Sequence, residues 1–102
     1  MLTGRLYRSG RGFLLKVRTL PELLDAEKAI ISIAGSYPFM VSVSRYRQHG
    51  KIYVVMYVPK KVVRELGLPE REPLPVKIYA VIHRGGRATL LGTVDEVATC
   101  SR

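Results

Sequence analysis

The chain has no tryptophan and no asparagine, one glutamine, one cysteine at position 100 and two histidines. A single cysteine excludes an internal disulfide framework and a cysteine-rich zinc site. His49 and His83 stand in no metal-ligand spacing, so neither a metal nor a cofactor is expected. The missing side-chain amides are heat-labile groups, and their scarcity fits a thermophile protein. No apolar run approaches the ~20 residues of a bilayer span. Arg5, Arg8 and Arg11 interrupt any secretory-type apolar core near the start. These absences predict a cytoplasmic protein.

Acidic residues are scarce as well, and unevenly placed. None occurs from Met1 to Pro21, which holds five basic residues, and none from Lys28 to Arg64, which holds seven. The acids gather at positions 22–27, 65–72 and 95–96 within a net charge of +9. Segregation of this kind predicts a one-signed face, which raises the encounter rate with a polyanion. A generic solubilising charge is the plainer alternative. Membrane binding is not expected, because no basic amphipathic helix of useful length is present.

Catalytic signals are missing too. Cys100 has no fixed base beside it. Gly10-Arg11-Gly12 lacks the lysine and the long helix of a phosphate-binding loop. No carboxylate pair is spaced for acid–base work, so the expectation is that the chain is not an enzyme.

Against these absences stand 102 residues that are 47% hydrophobic, enough for one compact domain with a packed interior. Leu2–Tyr7 and Phe13–Leu20 read as a hairpin, with Phe13, Leu15 and Val17 alternating against Lys16 and Arg18. Pro21 predicts a short helix to about Lys28, followed by a strand over 29–34 and a turn at Gly35–Pro38. Phe39–Arg45 and Ile52–Val58 predict a second hairpin through Gln48-His49-Gly50. A two-turn helix over Lys60–Leu66 buries Val62, Val63 and Leu66 and stops at Gly67. Val76–His83 and Ala88–Val94 predict a last hairpin around Arg84-Gly85-Gly86-Arg87. Thr93 with Glu96 is placed to cap a short final turn. Both histidines are assigned to turns.

The stretch Val58-Pro59-Lys60-Lys61 is unusual. Cations at a helix start oppose the macrodipole by roughly 0.3–1 kcal/mol each, yet they suit an incoming phosphate. Aligning Pro21 with Pro59, a shift of 38 residues, superposes Gly12 on Gly50, Leu15 on Tyr53 and Val17 on Val55. This alignment predicts a diverged tandem repeat. Residues 1–38 form the first strand-turn-strand-helix copy, 39–94 the second, and 95–102 a C-terminal tail.

From about Phe39 to Val94 the sequence resembles the AbrB/SpoVT-type swapped-hairpin family of transcription regulators and antitoxins. Val58-Pro59 and Leu66-Gly67-Leu68 carry the likeness, while Glu70-Arg71-Glu72-Pro73 replaces the family's usual Gly-Asp. The resemblance implies a mostly β fold with short helices, built as a swapped-hairpin barrel. That barrel would be completed by a homodimer or by an intrachain pseudo-dimer of the two repeats. It also implies DNA contacts from Arg45, Arg47 and Lys51 around the turn and from Lys60 and Lys61 at the helix start. By the repeat, Arg5, Arg8, Arg11, Lys16 and Arg18 are the first-copy equivalents. Arg84 and Arg87 form a basic hairpin tip. Arg45 and Arg47 share a strand face, with Tyr46 on the other. Tyr7, Tyr53, Tyr57 and Tyr79 fit cross-strand packing better than base stacking.

Three functions follow in order. The first is a nucleoid-associated, duplex-DNA-binding regulator. The second is an RNA-binding component of the ribosome or another ribonucleoprotein. The third is a protein-interaction module that docks on an acidic partner.

Overall fold

Period-two alternation accounts for most of the residues described, 2–91 of a computed structural model. The strands are β1 (Leu2–Ser9), β2 (Gly12–Val17), β3 (Ala26–Ile33), β4 (Phe39–Gln48), β5 (Lys51–Pro59), β6 (Leu74–His83) and β7 (Ala88–Leu90), with helix α1 over Lys60–Leu66. All pairings are antiparallel, in the order β1-β2-β5-β4-β3-β6-β7. A further ladder between β1 and β6 closes the first six strands into a barrel, with β7 as an addition. The mostly β, barrel-type expectation is therefore met, and a single chain closes the ring.

The closing ladder is short. It joins Leu2 to Val76, Thr3 to Pro75 and Gly4 to Leu74, and Pro75 has no N–H to give. By contrast β3 and β6 pair at seven positions from Ala26↔His83 to Ile33↔Val76. β7 continues along the same edge of β6, from Ala80↔Leu90 to Ile82↔Ala88.

The barrel interior is filled from alternate positions. Leu6, Leu15, Val17, Val43, Val54, Met56, Val58, Ile31 and Val81 belong to one buried cluster. Leu23 fills one end and α1 seats Val63 at the other, with Leu68 following it into the core. Gly67 ends α1 at φ 63°, a left-handed conformation that glycine adopts at little cost. Leu68 N–H then reaches back to the Val63 carbonyl at 3.1 Å. The helix expected over Lys60–Leu66 is thus present, with its stop residue.

Three expectations need correction. The helix expected from Pro21 to Lys28 is only a single 3-10 turn over Pro21–Leu23. Ala26–Ile33 instead pairs with β4 on one side and β6 on the other, and two ladders outweigh weak local helix propensity. The pseudo-dimeric repeat is not shown, and its 38-residue shift does not match the strand registers. Ser9↔Gly12 closes the first hairpin turn and Gln48↔Lys51 the second, so equivalent turn positions lie 39 residues apart. A shift of 38 would place inward Leu15 and Val17 on outward Tyr53 and Val55, a whole-face error that follows from the period of two. Finally, His83 ends β6 rather than occupying a turn. It is buried, with Nδ1 2.8 Å from Asp25 Oδ1 and Nε2 2.9 Å from Thr89 Oγ1.

His49 does sit in its expected turn, where His49 and Gly50 have φ of 53° and 76°, as tight hairpins with two positive-φ residues require. The end of the strand expected to reach Val94, the Thr93–Glu96 cap, Cys100 and the 95–102 tail lie outside the described residues. No helix among the described residues is long and apolar enough to cross a membrane.

Candidate nucleic-acid interface

Strand pairing brings basic residues from distant parts of the sequence together. Arg5 on β1 lies opposite Lys16 on β2. Lys16 lies opposite Val55 on β5. Both cations therefore point outward from the same patch of sheet. Arg18 follows the end of β2 and Lys51 begins β5, and these four line one open groove of about 520 Å3. Thr19 Oγ1 donates to the Ile52 carbonyl at 2.6 Å, which holds the segment after β2 against β5 along the groove. Among the described residues, no carboxylate lines it.

The groove has an aromatic border. Tyr46 and Tyr53 are directly opposed on β4 and β5, with ring centroids 5.3 Å apart and planes at 22°. The Lys16 ammonium lies 4.3 Å from the Tyr53 centroid and 5.9 Å from that of Tyr46. A cation over such rings is worth roughly 0.5–1 kcal/mol at an exposed site, and here it fixes the ammonium beside the groove. The cross-strand packing expected of Tyr53 is present, yet Tyr46 remains 38% exposed. Beyond Tyr46 a second depression of about 380 Å3 is bordered by Leu24, Arg45, Arg47 and Ile52. Ile52 borders both depressions, which therefore adjoin.

The other expected residues lie elsewhere or are already engaged. Arg45 is half-buried, and its Nη1 donates to the carbonyls of Ala26 at 2.7 Å and Leu23 at 3.2 Å. It ties β4 to the 3-10 turn. Arg45 points to the barrel side, and Tyr46 faces outward as its alternation implies. Arg47 is exposed beside Tyr46, with no acidic partner among the described residues. Arg5 donates to the Arg71 carbonyl at 2.8 Å while still lining the groove.

Arg8 sits at the opposite end of the barrel, paired with Glu70 at 2.8 Å and 5.5 Å from the Phe13 ring centre. The hydrogen bond from Arg8 holds the Glu70 carboxyl below its ordinary pKa and raises the guanidinium's own. Lys60 and Lys61 are exposed in the first turn of α1, which has no acid and no capping side chain. Lys60 shares a depression with Arg8, Arg64 and Glu70. Lys51 and Lys60 stand at the two ends of β5, roughly 30 Å apart at about 3.3 Å per residue. Arg11 is exposed in the first hairpin turn, near the Lys60 end. Arg84 lies 3.9 Å from Glu27, and Arg87 is exposed in the same tip.

Apart from Arg45, which is held by the Leu23 and Ala26 carbonyls, the eleven other expected basic residues divide among three places. Arg5, Lys16, Arg18 and Lys51 meet in the groove, with Arg47 close by. Arg8, Arg11, Lys60 and Lys61 occupy the far end, and Arg84 and Arg87 the β6–β7 tip. Sequence reasoning passed over Tyr46 as part of a surface site. Its signal was the alternation Arg45-Tyr46-Arg47, which puts the tyrosine alone on the outer face.

The fold and this site define a closed six-stranded antiparallel barrel with a cationic groove on its outer wall. No protein-family model, curated protein or solved structure matches the chain. No group of histidine, cysteine, aspartate and glutamate side chains among the described residues is arranged to hold a metal.

Proposed function

We propose that the chain is a small basic nucleic-acid-binding protein that holds a phosphate backbone along the groove formed by Arg5, Lys16, Arg18 and Lys51. The observation that carries this reading is the convergence of four cations, from β1, β2, the segment after β2 and β5, on a groove with no carboxylate among the described residues that line it. Cations gathered in this way repel one another, and a polyanion relieves that repulsion while releasing its own counterions. The role is binding rather than catalysis, at the nucleoid or on a ribonucleoprotein.

The test is affinity for polynucleotides as a function of salt. Affinity should fall steeply, with a log–log slope of about −0.7 to −0.9 per phosphate contacted. Replacing Lys16 and Lys51 by glutamate should abolish most binding at moderate salt. Binding at low salt that is indifferent to both substitutions sinks the groove as the site.

A duplex-DNA regulator of AbrB type is the second reading, supported by Val58-Pro59, Leu66-Gly67-Leu68 and the exposed Lys60-Lys61 step. Of its expected contacts, Lys60 and Lys61 lie at the end of the barrel away from the groove, while Lys51 lies in it. Lys60→Glu with Lys61→Glu separates the two, because it should weaken duplex binding only if that end is used.

A further inference from the structure

Building on the nucleic-acid reading, we infer that the groove takes an unpaired strand, with its backbone beside Lys16, Arg18 and Lys51 and one base laid against Tyr46. The argument starts from the stacked pair. Cross-strand tyrosines on an outer barrel wall usually bury one another, and Tyr53 does so between Tyr46 and the Lys16 ammonium. Tyr46 is left with 38% of its surface exposed. The depression at its flank is bordered by Leu24 and Ile52, which are 45% and 38% exposed. An aromatic ring with aliphatic neighbours in an otherwise cationic setting is a surface for a flat, partly apolar group.

Nucleobases are such groups, and they are available only when unstacked. In a duplex the faces of the bases are covered by their neighbours, so a protein ring outside the helix meets sugar and phosphate alone. A single strand, by contrast, offers a phosphate every nucleotide and a free face on each base, which is what a cationic groove beside a ring can use. The adjoining depressions provide for both: phosphates by Lys16, Arg18 and Lys51, and a base by Tyr46, with Arg47 lining the same depression as the ring. Among the described residues, neither depression is lined by a carboxylate that would repel the strand.

The decisive experiment compares a short fluorescent oligouridylate, the matching oligothymidylate and a mixed-sequence duplex by anisotropy at low salt. The expected result is tighter binding of a single strand than of the duplex. Tyr46→Ala should weaken the single strand about tenfold, leave its salt slope unchanged, and leave the duplex unaffected. Tyr46→Phe should retain the wild-type affinity, and far-ultraviolet circular dichroism confirms that both variants are folded. Preference for the oligouridylate assigns RNA and preference for the oligothymidylate assigns DNA; either upholds the inference. Duplex bound as tightly as the strands, or a folded Tyr46→Ala protein with unaltered single-strand affinity, overturns it while leaving the broader reading standing. Failure of every polynucleotide to bind removes that broader reading as well.

Discussion

The Arg45 guanidinium donates to the Ala26 carbonyl at 2.7 Å, joining the middle of β4 to the first residue of β3. A residue that looks like a surface cation in sequence thereby becomes a clasp between two segments. Arg45→Met keeps much of the aliphatic packing and removes the donor. It should lower stability by about 1.5–3 kcal/mol, the usual worth of a hydrogen bond to a charged group, read as a shift in urea midpoint. The folded fraction should still bind polyanion as the parent does. A loss of binding without a loss of stability would move Arg45 back to the interface.

Neutralising the groove should act by charge count. Lys16→Gln and Arg18→Gln should each reduce the magnitude of the salt slope by roughly 0.7–0.9 if each cation contacts one phosphate. Arg11→Gln, in the hairpin turn near the Lys60 end, should leave the slope alone. Equal effects from all three substitutions would indicate a diffuse field in place of a defined track.

Gly4 faces the barrel interior, where an added Cβ would come within 2.8 Å of Leu15 Cδ1 and 3.1 Å of Val17 Cγ1. Both neighbours are buried and have little room to retreat. Gly4→Ala should therefore cost about 1–3 kcal/mol through overpacking. The check is thermal or urea denaturation, and a neutral result means that Leu15 has a second rotamer available.

The Arg8–Glu70 pair should leave a small mark on acid stability. Its hydrogen bond depresses the Glu70 pKa in the folded state, so the unfolded chain takes up the proton first as pH falls. The stabilisation is present above the unfolded carboxylate value and is lost as pH drops through the folded one. The raised Arg8 pKa acts only at strongly alkaline pH, where stability would fall as the guanidinium deprotonates. Both side chains are exposed and screened by solvent, so the slope difference between the parent and Glu70→Gln below neutral pH should be slight and should vanish in high salt. A large difference that persists in high salt would mean the pair is shielded.

Local signals announced several elements before any contact was known. Gly67 marked the end of α1, Pro59 preceded its start, and His49-Gly50 marked the second hairpin turn. What sequence could not supply was partnership. Ala26–Ile33 becomes a strand because β4 and β6 flank it, and nothing within the segment states that two neighbours await. The 38-residue alignment looked regular because apolar character persists on both faces of β5, where Val54, Val55 and Met56 are all buried. At the site, Lys16, Arg18 and Lys51 were legible as basic residues. Their assembly into one groove depends on the β1–β2 and β2–β5 registers, and the separation of Lys60 and Lys61 from it depends on the length of β5.

The three-pair junction of β1 with β6 has a mechanical consequence. Edges held by so few bonds part at lower free energy than the long ladders around them. The ring should thus unzip there first, freeing the β1 edge as a flap while β2 stays paired with β5. Deuterium should enter the Leu2–Gly4, Leu74 and Val76 amides well before those of Ile31 or Val81. Arg5, carried on that flap, would swing with it, so anything clamped across the groove should seal the barrel against exchange.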